Sequence, residues 1–129
     1  HKLENDVIFF GRPDKKTLVQ IYNLADVLVA PSLFEGFGMT ILEAMACGTP
    51  TVTSKVSSMP EVVGDAGLCV DPESPQEIAD AIYSLYENPV AYKTLVVRGL
   101  NRVKSFTWEK TAEQVAMVYE KLMKEKPTC

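Results

Sequence analysis

The chain has 129 residues, of which 47% are hydrophobic and 23% are charged, with a formal net charge of −4 and a pI near 5.0. This size and composition predict a single domain over residues 1–129. Its C-terminal helical segment, from about residue 107, is predicted by a capping threonine and the apolar periodicity after it. The acidic balance argues against a nucleic-acid partner, and no apolar run is long enough to cross a bilayer.

Histidine and cysteine usage narrows the possible chemistry. His1 is the only histidine, which disfavours Ser-His-Asp, Cys-His and histidine–metal sites. Cys47, Cys69 and Cys129 are odd in number and far apart, a pattern that suits a reducing cytoplasm. We therefore expect a cytoplasmic protein whose chemistry relies on carboxylates, backbone amides and hydroxyls.

The N-terminal part of the chain alternates apolar runs with an amphipathic one. Residues 7–10 (VIFF), ended by Gly11, predict a buried strand. Asp14 is placed to cap a helix through Ala25, in which apolar residues recur with helical spacing. Residues 26–30 are almost continuously apolar and predict the next strand, as in a sheet covered on both faces.

The rest of the chain continues this alternation. Residues 39–47 predict a helix closed by Gly48, and residues 51–53 and 67–70 predict two more strands. Ser58 and Glu61 fit a capping box before one helical turn, and Ser74 fits a second one. Further helices are predicted from Asn88 towards Lys104 and from Thr107. The apolar stripe of the last helix, which starts at Trp108, is interpreted as core or as an interface with another domain.

This order of elements predicts an α/β fold, a Rossmann-like parallel sheet with helices on both faces. In such sheets ligands bind beyond the carboxyl ends of the strands. Residues 31–38 follow one such end, so they are the first place to look for a site.

Two glutamates eight residues apart mark that place. Glu35 lies in a glycine-containing loop, and Glu43 lies in a helix that is apolar on most faces, where a carboxylate is costly to desolvate without a partner. Gly36 and Gly38 allow close approach of the backbone to a ligand. The amides of Gly38, Met39 and Thr40 would open the helix and form an anion site.

A nucleoside diphosphate sugar would satisfy these features, since it has hydroxyls at two places and phosphates between them. In the alternative interpretation, Glu35 caps backbone amides, Glu43 pairs with a basic residue, and the glycines serve only the turn. Capping suffices to explain Glu61. Arg12 and Lys55 are interpreted as solvated surface charges rather than phosphate clamps.

At these residues the sequence resembles the GT-B glycosyltransferases, in particular the large retaining group usually numbered family four. The resemblance covers nearly the whole chain and includes the two-glutamate signature, Glu35 and Glu43. It is carried by residues 7–11, 25–32, 35–38, 42–50, 60–63, 67–72 and 106–108.

The resemblance implies the C-terminal, donor-binding half of such an enzyme. Glu35 would be the catalytic residue, contacting donor-sugar hydroxyls and stabilising charge at the reacting centre, and Glu43 would hold the ribose. The remaining donor-binding residues would be Gly11 and Arg12, beside the nucleobase, and Gly36, Phe37, Gly38, Met39 and Thr40, at the sugar and diphosphate. The implied reaction is front-face displacement with retention, with the donor as substrate and neither a cofactor nor a protein-held metal.

Two departures from the family pattern qualify this expectation. The family's phosphate-binding arginine and lysine, and its acceptor-binding domain, lie upstream of anything present. We therefore expect a fragment that is inactive alone, whose partner is the N-terminal domain of an enzyme that could sit at the inner membrane surface. The second departure is that Ser57 and Ser58 stand where many relatives have paired glycines, which does not define the sugar.

The family sheet also places two earlier strands between those predicted at residues 7–10 and 26–30. Without them, either the strand at residues 26–30 has an unpaired edge or the strand at residues 7–10 lies beside it. An open edge invites pairing with another chain. We therefore predict a homodimer or a rearranged pairing of this fragment.

The leading functional prediction is a mannosyl-, glucosyl- or rhamnosyltransferase-like donor domain. The alternatives are a glycogen- or starch-synthase-like domain, or a non-catalytic Rossmann-like interaction module. Nucleotide-sugar epimerases of the same fold are less favoured, because they would need additional acid–base groups.

Overall fold

The computed structural model describes residues 3–125, so His1 and Cys129 lie outside the described part. Its elements are α1 (Lys15–Leu24), β1 (Leu28–Ala30), α2 (Met39–Ala46), β2 (Thr51–Ser54), α3 (Met59–Val63), β3 (Leu68–Val70), α4 (Pro75–Glu87), α5 (Pro89–Arg102), a short 3-10 helix (Val103–Ser105) and α6 (Trp108–Lys124).

The three strands form a parallel sheet in the order β1-β2-β3. Val29 pairs with Val52, and Thr53 pairs with Cys69. All four residues of the central strand β2 are buried, whereas those of β1, at the edge, are only half-buried. The predicted α/β fold with a parallel sheet is confirmed.

Helices cover both faces of this sheet. Side chains alternate along β2, so Val52 and its neighbours Thr51 and Thr53 point to opposite faces. One apolar cluster joins β2 and β3 to α4 and α5 (Val52, Val70, Leu85 and Leu95). The other is built from α2, α3 and Ala66, which lies in the turn after α3 (Ile41, Leu42, Met45, Met59, Val62, Val63 and Ala66).

Four helices begin at side-chain caps. The capping residues are Asp14, Ser74, Asn88 and Thr107, and each accepts a hydrogen bond from the backbone N–H three residues later. These bonds satisfy N–H groups that have no partner inside the helix. The helix starts predicted at these positions are confirmed.

The predicted strand at residues 7–10 is wrong. The segment has no strand conformation, and Phe9 is 93% exposed. A buried strand needs both a hydrogen-bonded neighbour and covering helices, and no element among residues 3–125 supplies them here. The edge of β1 therefore has no partner strand in the described part of the chain, which is the first of the two predicted arrangements.

The predicted capping box at Ser58 is also wrong, although α3 does follow it. Ser58 has helical backbone angles (φ −77°, ψ −10°) and makes no side-chain cap. A capping residue needs an extended backbone to turn its hydroxyl back onto the helix, and Ser58 does not have one. Its hydroxyl donates instead to the carbonyl oxygen of Glu35, at 2.8 Å.

The apolar stripe of α6 is not part of the core. No residue of this helix is buried, and Trp108 is 80% exposed. The interpretation as core is therefore wrong, and the interface with another domain stays a prediction. Among the described residues, no helix combines the length and the apolar character that crossing a membrane requires.

Candidate functional site

The predicted site lies at the carboxyl edge of the sheet. The loop of residues 31–38, called the Glu35 loop below, leaves the end of β1 and leads into α2. Ser57 and Ser58 follow the end of the neighbouring strand β2 and contact this loop. Because parallel strands end at the same edge, two segments distant in sequence meet where such folds bind ligands.

Glu35 is held by its backbone and not by its carboxylate. Its N–H donates to Ser57 Oγ at 3.3 Å, and its carbonyl oxygen accepts from the hydroxyls of Ser57 and Ser58, each at 2.8 Å. The side chain is exposed, and no residue in the range 3–125 donates a hydrogen bond to the carboxylate. The alternative in which this carboxylate caps backbone amides is therefore not the arrangement seen here.

Glu43 is half-buried and has a neutral partner. Its Oε2 accepts a hydrogen bond from the hydroxyl of Tyr22 at 3.1 Å, and none of its described neighbours forms an ion pair with it. Burial of Tyr22, and then the hydrogen bond to Glu43, raise the pKa of Tyr22 to about 12. Tyr22 is therefore a neutral donor at physiological pH, which offsets part of the cost of burying the carboxylate.

Tyr22 is one of the apolar residues that recur with helical spacing in α1, and this spacing indicates only that its ring faces the core. The structure adds its polar end, because the ring is 7% exposed and the hydroxyl reaches α2. A tyrosine buried on an amphipathic helix usually finds a hydrogen-bond partner, and this was the available signal.

The first turn of α2 presents backbone donors. Gly38 precedes the helix with a φ of +101° and provides no side-chain cap. The N–H groups of Met39 and Thr40 make no hydrogen bond to a residue within 3–125. With the positive end of the helix dipole, these groups can bind an anion. Gly36 does not have a positive φ, so only Gly38 needs this freedom.

Phe37 borders an apolar cavity beside the Glu35 loop. Its ring packs edge-on against Phe106, with 5.9 Å between the centroids, and the guanidinium of Arg102 lies 5.1 Å from the centre of the Phe106 ring. The cavity has a volume of about 300 Å³ and is lined by Phe37, Met39, Leu42, Phe106, Thr107, Trp108 and Thr111. It leaves space for apolar groups next to the loop.

The other candidates, Gly11, Arg12 and Lys55, make no described contact with Glu35 or Glu43. Gly11 and Arg12 are exposed in an irregular segment before α1. Lys55 pairs with Asp71 at 3.1 Å, and the hydrogen bond to Asp71 raises the pKa of the lysine. The pairing agrees with the interpretation of Lys55 as a surface charge.

The acidic and cysteine side chains of the described residues do not gather into a metal centre. Within residues 3–125, no group of three or more His, Cys, Asp or Glu side chains is arranged to hold a metal ion. Cys47 and Cys69 are free thiols. The metal-free donor site stays a prediction.

Comparison with known sequences identifies relatives. A family model described as "Glycosyl transferases group 1" matches residues 1–102. The O-antigen chain mannosyltransferase B of Escherichia coli is 40% identical over 119 residues, which cover 92% of this chain and 31% of that protein.

Solved structures agree with this assignment. Sucrose-phosphate synthase from Thermosynechococcus elongatus superposes with a TM-score of 0.82 at 35% identity, covering 96% of this chain and 32% of that one. HepE from Anabaena, crystallised with UDP and glucose, superposes with a TM-score of 0.81 at 30% identity, covering 92% and 33%. HepE has also been crystallised with UDP-glucose.

The chain spans about a third of the length of these relatives. Within that third, the family match includes the Glu35 loop, α2 and the serines after β2. The chain therefore belongs to the glycosyl transferases group 1 family.

Proposed function

We propose that this chain is the donor-binding part of a sugar transferase and binds a nucleoside diphosphate sugar at the carboxyl edge of the sheet. The observation that carries the proposal is the arrangement around the start of α2. Glu35 lies in the loop before the N–H groups of Met39 and Thr40, which have no described acceptor, and Glu43 lies one helical turn after them. The Anabaena relative crystallised with UDP-glucose supports this choice of ligand.

Glu43 binds the ribose hydroxyls in this proposal. Its Oε2 is held by Tyr22, and its other carboxylate oxygen has no described donor, so it can accept hydrogen bonds from a diol. The hydrogen bond from Tyr22 favours one orientation of this carboxylate. Gly11 and Arg12 lie near the nucleobase, as the family resemblance implies.

Glu35 acts at the sugar. Its carboxylate accepts hydrogen bonds from sugar hydroxyls and stabilises positive charge that develops at the anomeric carbon. The N–H groups at the start of α2 stabilise the diphosphate as its bond to that carbon breaks, with main-chain groups of Gly36, Phe37 and Gly38 contributing. The acceptor oxygen bonds to the anomeric carbon on the same face of the sugar from which the diphosphate leaves, its proton passes to the departing phosphate oxygen, and the configuration is therefore retained.

The transferred group is a hexose of the mannosyl, glucosyl or rhamnosyl class. The Escherichia coli mannosyltransferase supports the mannosyl member of this range, and HepE crystallised with UDP-glucose supports the glucosyl member. The acceptor is bound by an N-terminal domain of the same enzyme, without which residues 1–129 do not transfer sugar. This is supported by the longer relatives, of which the chain covers about a third.

The test is calorimetric titration of the chain with UDP, GDP and ADP, beside Glu43→Gln and Glu35→Gln. We expect one nucleotide to bind, and Glu43→Gln to weaken it about tenfold or more, because a charged hydrogen bond contributes about 1.5–3 kcal/mol. Glu35→Gln is the matched control, since it removes the same charge outside the proposed ribose site. It should leave nucleotide affinity unchanged.

Two results would contradict the proposal. One is the absence of binding by any nucleotide, both to this chain and to one extended upstream. The other is equal binding by Glu43→Gln and the unmodified chain. The titrations are made in EDTA because we propose that the protein holds no metal. Binding that returns only with a divalent cation would overturn the proposal of a metal-free site.

A further inference from the structure

Two adjacent serines hold the backbone of the Glu35 loop at several points. The Ser57 hydroxyl accepts from the N–H of Glu35 and donates to its carbonyl oxygen. The Ser58 hydroxyl donates to the same oxygen at 2.8 Å and lies 3.3 Å from the carbonyl oxygen of Phe37. A carbonyl oxygen has two lone pairs, so that of Glu35 is saturated by the serine pair.

The backbone at Ser57 is unusual. Its φ is +59°, and it is the only residue other than glycine with a positive φ in residues 3–125. Left-handed angles are unfavourable for a side chain with a Cβ, so the surrounding contacts must maintain them. The conformation turns two consecutive hydroxyls towards one loop, which glycines at these positions could not do.

Helix capping does not explain these hydroxyls. Ser58 precedes α3 but does not cap it, and Ser57 lies one residue further away. Both hydroxyls bind the residue whose carboxylate has no described donor. The anchored backbone therefore fixes the position of the Glu35 Cα and the direction in which its side chain leaves the loop.

We propose that Ser57 and Ser58 are positioning residues, which fix the Glu35 loop so that the Glu35 carboxylate meets the sugar of the bound donor. This rests on the proposed function of the site. Because the serines act on Glu35 and not on Glu43, they should affect recognition of the sugar and leave recognition of the nucleotide unchanged.

The variants separate loss of the hydroxyl from loss of stability. Ser57→Gly and Ser57→Ala both remove the hydroxyl, but glycine relaxes the left-handed backbone and alanine keeps it strained. Ser58→Ala removes the second hydroxyl, and Ser58→Thr keeps one. Ser84→Ala, on the exposed side of α4, is the control for a serine hydroxyl outside the loop.

The first measurement needs no ligand. Amide hydrogen exchange of Glu35, followed by NMR, should become at least about threefold faster in Ser57→Gly and Ser57→Ala, because the N–H loses its acceptor. Ser84→Ala should leave this rate unchanged. An unchanged rate in both Ser57 variants would overturn the anchoring.

The second measurement compares affinities for a nucleotide and its sugar ester, using UDP with UDP-glucose and GDP with GDP-mannose. The gain in affinity from the sugar should fall about fivefold in Ser57→Gly, Ser57→Ala and Ser58→Ala, and recover in Ser58→Thr. Affinity for the nucleotide alone should not move. If stability were the cause, the glycine and alanine variants would differ.

The outcomes are distinguishable. Suppose that the Glu35 amide exchanges faster in a variant but the sugar still adds the same gain in affinity. That result would overturn the positioning role alone. Absence of nucleotide binding both by the unmodified chain and by one extended upstream would remove the proposed function, and the positioning role with it.

Discussion

Glu43 shows how a carboxylate is accommodated in an apolar helix without a cationic partner among residues 3–125. Desolvation of an unpaired carboxylate is costly, and an ion pair would compete with a ligand for its oxygens. The hydroxyl of Tyr22 satisfies one oxygen and leaves the other available. This arrangement stabilises the folded chain and keeps the acceptor that the proposed function requires.

Because the pKa of Tyr22 is raised to about 12, its ionisation should be visible by spectroscopy. Titration of tyrosine absorbance should show one phenol that ionises with a midpoint near pH 12, and Tyr22→Phe should remove that step. Glu43→Gln should lower the midpoint only in part, because burial is the larger cause.

The same shift makes stability depend on pH. Since the folded pKa lies above the unfolded value of about 10, the contribution of the Tyr22 hydroxyl is complete below pH 10 and is lost as pH rises through 12. Tyr22→Phe should therefore be less stable than the unmodified chain below pH 10, and the difference should narrow above it. An equal difference at pH 8 and pH 12 would contradict this account.

The sequence was sufficient to place Glu35 in a loop and Glu43 in a helix, because a loop after a strand and a charge inside an apolar helix are local features. It was not sufficient to find Tyr22 or the roles of Ser57 and Ser58. Their partners lie more than 20 residues away. Packing of α1 on α2 brings Tyr22 to Glu43. The segment after β2 lies beside the Glu35 loop, and this brings the two serines to Glu35.

The two glycines before α2 differ in what they contribute to the helix start. Gly38 has a φ of +101°, and an added Cβ would lie 3.2 Å from Met59 Cε. Gly36 has ordinary angles, with no atom within 4 Å of such a Cβ. Gly38→Ala should therefore lower the free energy of unfolding by about 1–2 kcal/mol.

Gly36→Ala is the matched control, and its effect should stay within about 0.5 kcal/mol. Urea unfolding of both variants measures the difference. Equal effects would show that the left-handed angle at Gly38 is not needed to begin α2.

Helix α6 has a different relation to the core from α4. Trp108 is 80% exposed, whereas Leu85 of α4 is 4% exposed within an apolar cluster. Trp108→Ala should therefore lower the free energy of unfolding by less than about 1 kcal/mol, and Leu85→Ala by about 2–5 kcal/mol. Denaturant unfolding compares them. A large effect of Trp108→Ala would mean that the tryptophan is buried in solution.

Helix starts were predictable because each capping residue and its N–H partner are three positions apart. The absence of a strand at residues 7–10 was not predictable in this way, because an apolar run becomes a strand only if another strand and covering helices are available. Similarly, periodicity indicated that one face of α6 is apolar, but not what would cover that face. Local signals therefore determined the elements, and long-range contacts decided which of them are buried.

The whole molecule has an asymmetric distribution of apolar surface. The central strand β2 is fully buried, while the edge strand β1 is half-buried. Residues 7–10 lie before β1 in sequence and expose large side chains, including Phe9 and Ile8. Exposed apolar side chains and an unpaired strand edge both favour contact with another chain.

We therefore expect residues 1–129 to self-associate, and sedimentation velocity should show an average mass that rises with concentration. Phe9→Lys should weaken this association, because it places a charge in the most exposed apolar segment without removing a core contact. Tyr86→Lys is the matched control, since Tyr86 is an exposed aromatic residue on α4. Equal weakening by both variants would indicate association through general surface charge rather than through residues 7–10. A monomer at every concentration would mean that neither the edge of β1 nor this segment recruits a second copy.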